Sequence, residues 1–172
     1  MLRTAGPDDA YALSRLERTA ALATLGRIFP PDRYPYPDGD VTARWRLVLG
    51  DPTVTTLLAE DGDELIGYAA YDPLSLRHLA VAPDRLGSGL ADELYDTVHA
   101  AWRHAGLARA VLWVLAENAR ARRFYERHGW RADGRRQECP WPPYPDELGY
   151  ALDLPTGDRP EPASSRPVVS GC

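Results

Sequence analysis

Cysteine is scarce in this chain, with two in 172 residues, at Cys139 and Cys172. That is too few for a disulfide framework, and neither has the His or Cys neighbours of a zinc site, so both are read as reduced thiols and no metal is expected. Long apolar runs are missing as well. None approaches the roughly 18–20 residues that a membrane helix needs, and Met1-Leu2-Arg3-Thr4 lacks the basic-then-apolar pattern of a secretory leader. No membrane partner and a cytoplasmic location are therefore expected. Positive charge is in deficit: 20 basic against 25 acidic residues leave a net charge of −5. A general nucleic-acid binder wants a basic face, so that class is set aside in favour of a small or cationic partner.

What is present fits a folded domain. A chain of 172 residues with 44% hydrophobic and 26% charged residues can bury a core without staples. Leu2-Arg3-Thr4 reads as a strand. Asp8 and Asp9 offer N-cap chemistry to a helix running to about Leu25, with Leu13, Leu16 and Ala20 at helical spacing and Gly26 as its stop. Prolines exclude regular structure over Phe29–Gly39. A second helix is expected over Val41–Leu49, capped by Asp40. Thr53–Ala59 and Glu64–Tyr71 read as a hairpin about Glu60-Asp61-Gly62-Asp63, and Leu74–Val81 as the next strand.

The amphipathic run Ser88–His104 is a helix stopped by Gly106. Ala110–Leu115 is continuously apolar, which predicts a strand buried on both faces. Asn118–Arg127 is a helix stopped by Gly129, and Trp130–Gln137 and Leu148–Leu154 are the last strands. The fold class is α/β (α+β), one domain over residues 1–154 with a mixed sheet of about seven strands and about four helices. Residues 155–172, rich in Pro and Ser, are expected to be a poorly ordered tail. Oligomeric state stays open between monomer and homodimer.

Chemistry first shows in Leu79-Ala80-Val81-Ala82-Pro83, followed by Arg85-Leu86-Gly87-Ser88-Gly89-Leu90-Ala91. An apolar strand runs through a two-glycine turn straight into a helix, which aims free N–H groups and a helix dipole at one point. That suits a phosphate or pyrophosphate. The turn lacks the third glycine of a dinucleotide fingerprint, since Asp92 stands there, and the Lys of a P-loop is missing too.

A second motif follows: Asn118-Ala119-Arg120-Ala121, then Phe124-Tyr125 and Gly129-Trp130. Each residue has an ordinary explanation alone, as a cap, a packing aromatic or a helix stop. Both motifs in this order resemble the GNAT superfamily of acyl-CoA-dependent N-acyltransferases, and the likeness spans about Leu74 to Trp130.

That resemblance implies a sheet splayed at a coenzyme A site and a specific set of roles. Backbone N–H groups of Leu86, Gly87, Ser88, Gly89, Leu90 and Ala91 are to cradle the pyrophosphate, and Leu79 and Val81 are to pair with the pantetheine arm. The Val81 N–H is to stabilise the oxyanion of the transferring acyl group. Asn118 is to bond the pantetheine arm, and Tyr125 is to give a proton to the departing thiolate. Family members usually carry Gln or Arg at the place of Leu86, so Arg85, Arg122 or Arg123 is expected to supply charge instead. Acetyl-CoA is the implied co-substrate.

An amine must lose a proton before it attacks. The places where relatives carry a glutamate for this are Ser75 and Trp113 here, which leaves water-mediated deprotonation through His78 as the expectation. Two loops rich in Pro and aromatics, 29–39 and 140–147, are expected to flank the acceptor, with Tyr34, Tyr36, Trp141 and Tyr144 lining its cleft. Direct transfer of an acetyl group to the primary amine of a small molecule is the favoured reading. A protein N-terminus or lysine as acceptor, or a silent acyl-CoA-binding module, are the alternatives.

Overall fold

The computed structural model describes residues 1–155. Apart from Pro155, the segment expected to form a poorly ordered tail lies outside them. In chain order the elements are β1 (Leu2–Thr4), α1 (Ala10–Thr24), α2 (Asp38–Gly50), β2 (Thr55–Asp61), β3 (Glu64–Tyr71), β4 (Leu76–Val81), α3 (Leu90–His104), β5 (Arg109–Leu115), α4 (Ala119–Arg127), β6 (Arg131–Glu138) and β7 (Asp146–Asp153).

The strands form two sheets, ordered β1-β2-β3-β4 and β5-β7-β6. Every ladder is antiparallel. The mixed character expected from the sequence comes down to one parallel bridge, Ser75 to Val111, with the Val111 N–H donating to Leu74 O at 2.9 Å. Beyond that bridge β4 and β5 share no ladder, and the gap between them is where a site opens.

Successive residues of a strand face opposite sides, and β3 uses both. Tyr68 turns to α2, where its ring meets Trp45 edge-on at 5.1 Å. Gly67 turns to α3. A Cβ there would lie 3.0 Å from Leu94 Cδ1 and 3.2 Å from Leu90 Cδ2, so the missing side chain lets α3 seat closely on the sheet. Trp102 of α3 joins the halves: it is buried, its ring meets Tyr71 at 6.0 Å and Trp130 at 6.2 Å, and its Nε1 donates to Asp72 O at 2.9 Å.

Several expected boundaries shift, each for a local reason. Asp9 does not cap α1. Its carboxylate accepts from Gly6 N at 2.7 Å and takes a bidentate pair of 2.8 Å bonds from Arg3, fastening the Pro7–Asp9 turn instead. Helix α2 starts at Asp38, so Asp40 lies inside its first turn, where a carboxylate still favours the positive helix end. Strands β2 and β4 start late because Asp51 and Asp72 hold turns: Asp51 accepts from Thr53 N, and Asp72 from Leu74 N and Ser75 N.

Strand β5 is not buried on both faces. Ala110, Leu112 and Val114 are buried, whereas Trp113 is 37% exposed. Leu112 pairs with Tyr150 of β7, whose hydroxyl lies under α4 against Arg122 and Glu126. The Trp113 face is left open.

Candidate active site

A cavity of about 500 Å³ has β4, the glycine turn, α3, α4 and the end of α1 as its walls. Its β4 wall is a free strand edge. Val81 pairs with Gly67, and the Ala82 N–H donates back to Ile66 O at 2.8 Å. By antiparallel alternation the N–H groups of Val81 and Leu79 then point away from β3, into the gap. Leu79, Ala80 and Val81 all line the cavity.

The turn divides its amides in two. Leu86 N–H donates to Pro83 O at 3.3 Å, Ser88 N–H to Arg85 O at 3.2 Å, and Leu90 N–H to Ser88 Oγ at 3.3 Å. These three, expected to be part of the cradle, are occupied within the turn. The N–H groups of Gly87, Gly89 and Ala91 have no partner among the described residues, and all three residues line the cavity. Gly87 (φ +80°) and Gly89 (φ +90°) lie in the left-handed region, which L side chains rarely adopt and which produces this alternation. Three free donors at the start of α3 make a seat for an anion.

From α4 come Asn118 and Tyr125. Asn118 caps the helix, its Oδ1 accepting from Ala121 N at 3.1 Å, while its Nδ2 donors have no partner among the described residues. Tyr125 is buried with its ring 5.5 Å from Phe124 and 6.1 Å from Trp130. Its hydroxyl makes no hydrogen bond among the described residues, and Tyr125 lines the cavity. Burial, followed by the neighbouring Tyr95, pushes its pKa above the ordinary value of 10.0. It is a protonated donor at neutral pH.

The geometry matches known proteins. Residues 19–130 match the Acetyltransferase (GNAT) family. The chain belongs to the GNAT acetyltransferase family. An uncharacterized N-acetyltransferase of Mycobacterium tuberculosis is 30% identical over 125 residues, covering 69% of this chain and 80% of the relative. In fold the chain is similar to the Escherichia coli ribosomal-protein-S18-alanine N-acetyltransferase, with a TM-score of 0.71, 18% identity and coverage of 94% and 97% of the two chains. It is also similar in fold to the PaiA N-acetyltransferase of Thermoplasma acidophilum, solved in complex with coenzyme A, with a TM-score of 0.66, 13% identity and coverage of 90% and 98%.

Not every residue singled out in this GNAT chain reaches the cavity. Arg122 does not: its Nε donates to the Tyr150 hydroxyl at 3.1 Å and its Nη1 to Ala116 O at 3.1 Å, so it ties α4 to β7. Arg120, Arg123 and Arg127 line the cavity instead, together with Arg85. Helical periodicity was the available signal, since positions 120, 123 and 127 share one face of α4 and 122 and 126 another. Ala20 and Thr24 of α1 also form part of the wall, and no local motif marks them.

His78 sits on β4 against the Trp45 ring at 5.1 Å. Burial first, then Arg44 and Arg77, push its pKa down to about 3, so the imidazole is neutral and a very weak base at pH 7. This corrects the expectation that it relays the amine's proton. Ser75 is tied to Asp72, its Oγ donating at 2.8 Å. Trp113 carries the Arg135 guanidinium 4.7 Å over its ring, a cation where some relatives are expected to hold a glutamate.

The aromatic loops do not line this cavity either. Tyr36 and Trp141 pack against the core and Tyr144 is 55% exposed, while Tyr34 is half-buried. Among the described residues no group of acidic, His and Cys side chains is set to hold a metal ion, and no helix is long and apolar enough to cross a membrane.

Proposed function

We propose that the protein moves an acetyl group from acetyl-CoA to the primary amine of a small molecule by direct attack in a ternary complex. The observation that carries this reading is Tyr125, a protonated hydroxyl without a partner among the described residues, in the wall of the same cavity as the free edge of β4. The residues fit the donor: three unpaired amides for its pyrophosphate, the Leu79–Val81 edge for its amide-bearing arm, and Asn118 Nδ2 as a further donor to that arm.

Each residue then has a chemical task. The Val81 N–H polarises the thioester carbonyl and stabilises negative charge on its oxygen. Tyr125 donates its proton to the departing thiolate, and its raised pKa keeps the hydroxyl in the neutral form that carries the proton. No described side chain takes over the base role from His78, so the amine gives its proton to solvent and attacks as the free base. Neither Cys139, buried with its thiol pKa raised by burial, nor any cavity residue offers a nucleophile for a covalent acyl-enzyme.

Thiol release from acetyl-CoA across a panel of small amines and peptides tests the reading. The chain contains no lysine, so side-chain self-acetylation contributes nothing to the signal. Turnover with small amines is the expected result. Turnover with peptides alone moves the acceptor to a protein N-terminus or lysine, and coenzyme A binding without turnover leaves a binding module.

A further inference from the structure

Among the described residues one carboxylate lines the cavity: Asp92, in the first turn of α3 and directly after Ala91, whose N–H is one of the seat's free donors. A negative group beside an anion seat opposes its ligand. Here Asp92 Oδ1 is met by two side chains from the end of α4, Arg127 Nη2 at 2.7 Å and His128 Nε2 at 3.1 Å. Arg127 alone brings this corner to neutrality. A proton on His128 makes it net positive.

The surroundings of His128 suit that proton. Its Nδ1 lies 2.8 Å from Phe124 O, so both ring nitrogens face oxygens that only accept. A neutral imidazole has one N–H and leaves its other lone pair against an oxygen, whereas the imidazolium donates at both nitrogens. The side chain is 15% exposed, with its ring 4.4 Å from Tyr95 and 4.5 Å from Phe124. The titratable and charged groups facing it are Asp92, Tyr95 and His99 from α3 and Arg127 beside it. The Tyr95 hydroxyl accepts from Trp130 Nε1 at 3.0 Å. Burial first, then Arg103, hold His99 below the ordinary imidazole value against the opposing pull of Asp96. Asp92 is the group that answers a charge on His128. The His128 N–H also donates to Tyr125 O at 2.9 Å, closing the helix that carries the acid.

We infer that His128 is a proton-operated latch: as imidazolium it bridges Asp92 of α3 to the Phe124 carbonyl of α4, leaves the corner beside the anion seat net positive, and so ties coenzyme A affinity to pH. It is a positioning residue, since it touches no ligand and acts through Asp92. The inference rests on the acetyl-CoA reading above and adds regulation to it. Imidazole changes charge between pH 5 and 8, and by linkage an anion on the seat holds the proton in place.

Calorimetric titration of the full chain with coenzyme A at pH 5.5 and at pH 8, wild type against His128→Gln, is the test. Coenzyme A itself gains a proton in this range, equally for both proteins, so the ratio of the two affinities is what is read. The wild type is expected to bind about threefold more tightly than the variant at pH 5.5, and the ratio is expected to fall to about one at pH 8. Nitrogen-15 spectra of the wild-type imidazole test the latch without any substitution. Both ring nitrogens of His128 are expected to carry protons at pH 5.5 and to keep them to higher pH with coenzyme A bound. An affinity ratio that is the same at both pH values overturns the latch and leaves the acetyl-CoA reading standing. A His128 ring that gives up its proton at the same pH with and without coenzyme A does so too. Absence of coenzyme A binding by the wild type at both pH values overturns the latch and the reading together.

Discussion

Trp45 Nε1 of α2 donates to Glu17 Oε2 of α1 at 2.7 Å, and the same oxygen receives Arg44. Glu17 thereby joins α1 to α2 through both an indole and a guanidinium. The site depends on this joint, because Ala20, one turn further along α1, is part of the cavity wall. Tyr36 and Tyr68 both feel the Glu17 charge, after the larger effect of their own burial, and their hydroxyl pKa values rise. Glu17→Ala leaves Trp45 Nε1 and Arg44 without their acceptor inside the fold. A loss of about 2 kcal/mol in unfolding free energy is expected, read by guanidinium chloride denaturation. An unchanged midpoint means that the helices are held by apolar packing alone.

Tyr125→Phe keeps the ring in its pocket and removes only the hydroxyl. A fall in kcat of about 10²-fold or more is expected, with coenzyme A affinity within about twofold of wild type. Because burial raises the Tyr125 pKa above 10.0, the acid stays protonated through the accessible alkaline range. With solvent as the base, kcat/KM climbs with pH until the acceptor's own amine pKa and then levels off. A descending limb below pH 9 contradicts the assignment of Tyr125 as the acid.

Gly89 and Gly39 are equally uncrowded and differ in conformation. A Cβ at either meets no atom within 4 Å, but Gly89 has φ +90° whereas Gly39 lies in the first turn of α2. Gly89→Ala is expected to cost about 1 kcal/mol of stability and to weaken coenzyme A binding severalfold, since a backbone strained out of its left-handed conformation turns the residue's free N–H away from the seat. Gly39→Ala is expected to stabilise by about 0.5 kcal/mol with binding unchanged. Equal effects at the two sites remove the case for a left-handed requirement in the turn.

His78 makes stability depend on pH. Its pKa is about 3 when folded against an ordinary 6.5. Between those values the unfolded chain binds a proton that the folded chain does not, so stability falls as pH drops through 6.5 and the loss levels off near 3. By pH 5 it reaches about 2 kcal/mol relative to pH 8. His78→Gln, which cannot titrate, is expected to flatten that slope in urea denaturations between pH 8 and pH 5. A wild-type stability that does not fall across this range shows that His78 is solvated rather than packed on Trp45.

Much of the architecture was legible along the chain because it rests on local chemistry. The two-glycine turn, the Asn118 cap and the Gly129 stop each act within a few residues, and among the described residues the four α-helices and seven strands overlap the expected ones. Boundaries moved where a side chain had two possible partners, as when Asp9 bonded Gly6 and Arg3 rather than the start of α1.

The remaining features of the site arise only in three dimensions. Arg122 and Arg123 are neighbours in sequence, yet one is bonded to Tyr150, 28 residues away, and the other faces the cavity. His78 loses its basicity to burial first and then to Arg44 and Arg77, and Arg44 and the Trp45 ring beside it reach β4 from α2. The aromatic loops, the most individual stretches of the sequence, pack or point elsewhere than into this cavity. Residue order settles which backbone groups a turn frees, because that follows from φ and hydrogen bonds a few residues apart. Which charges remain uncompensated, and which titratable groups are desolvated, follows from contacts between distant segments and appears only when the two sheets and α4 close around the gap.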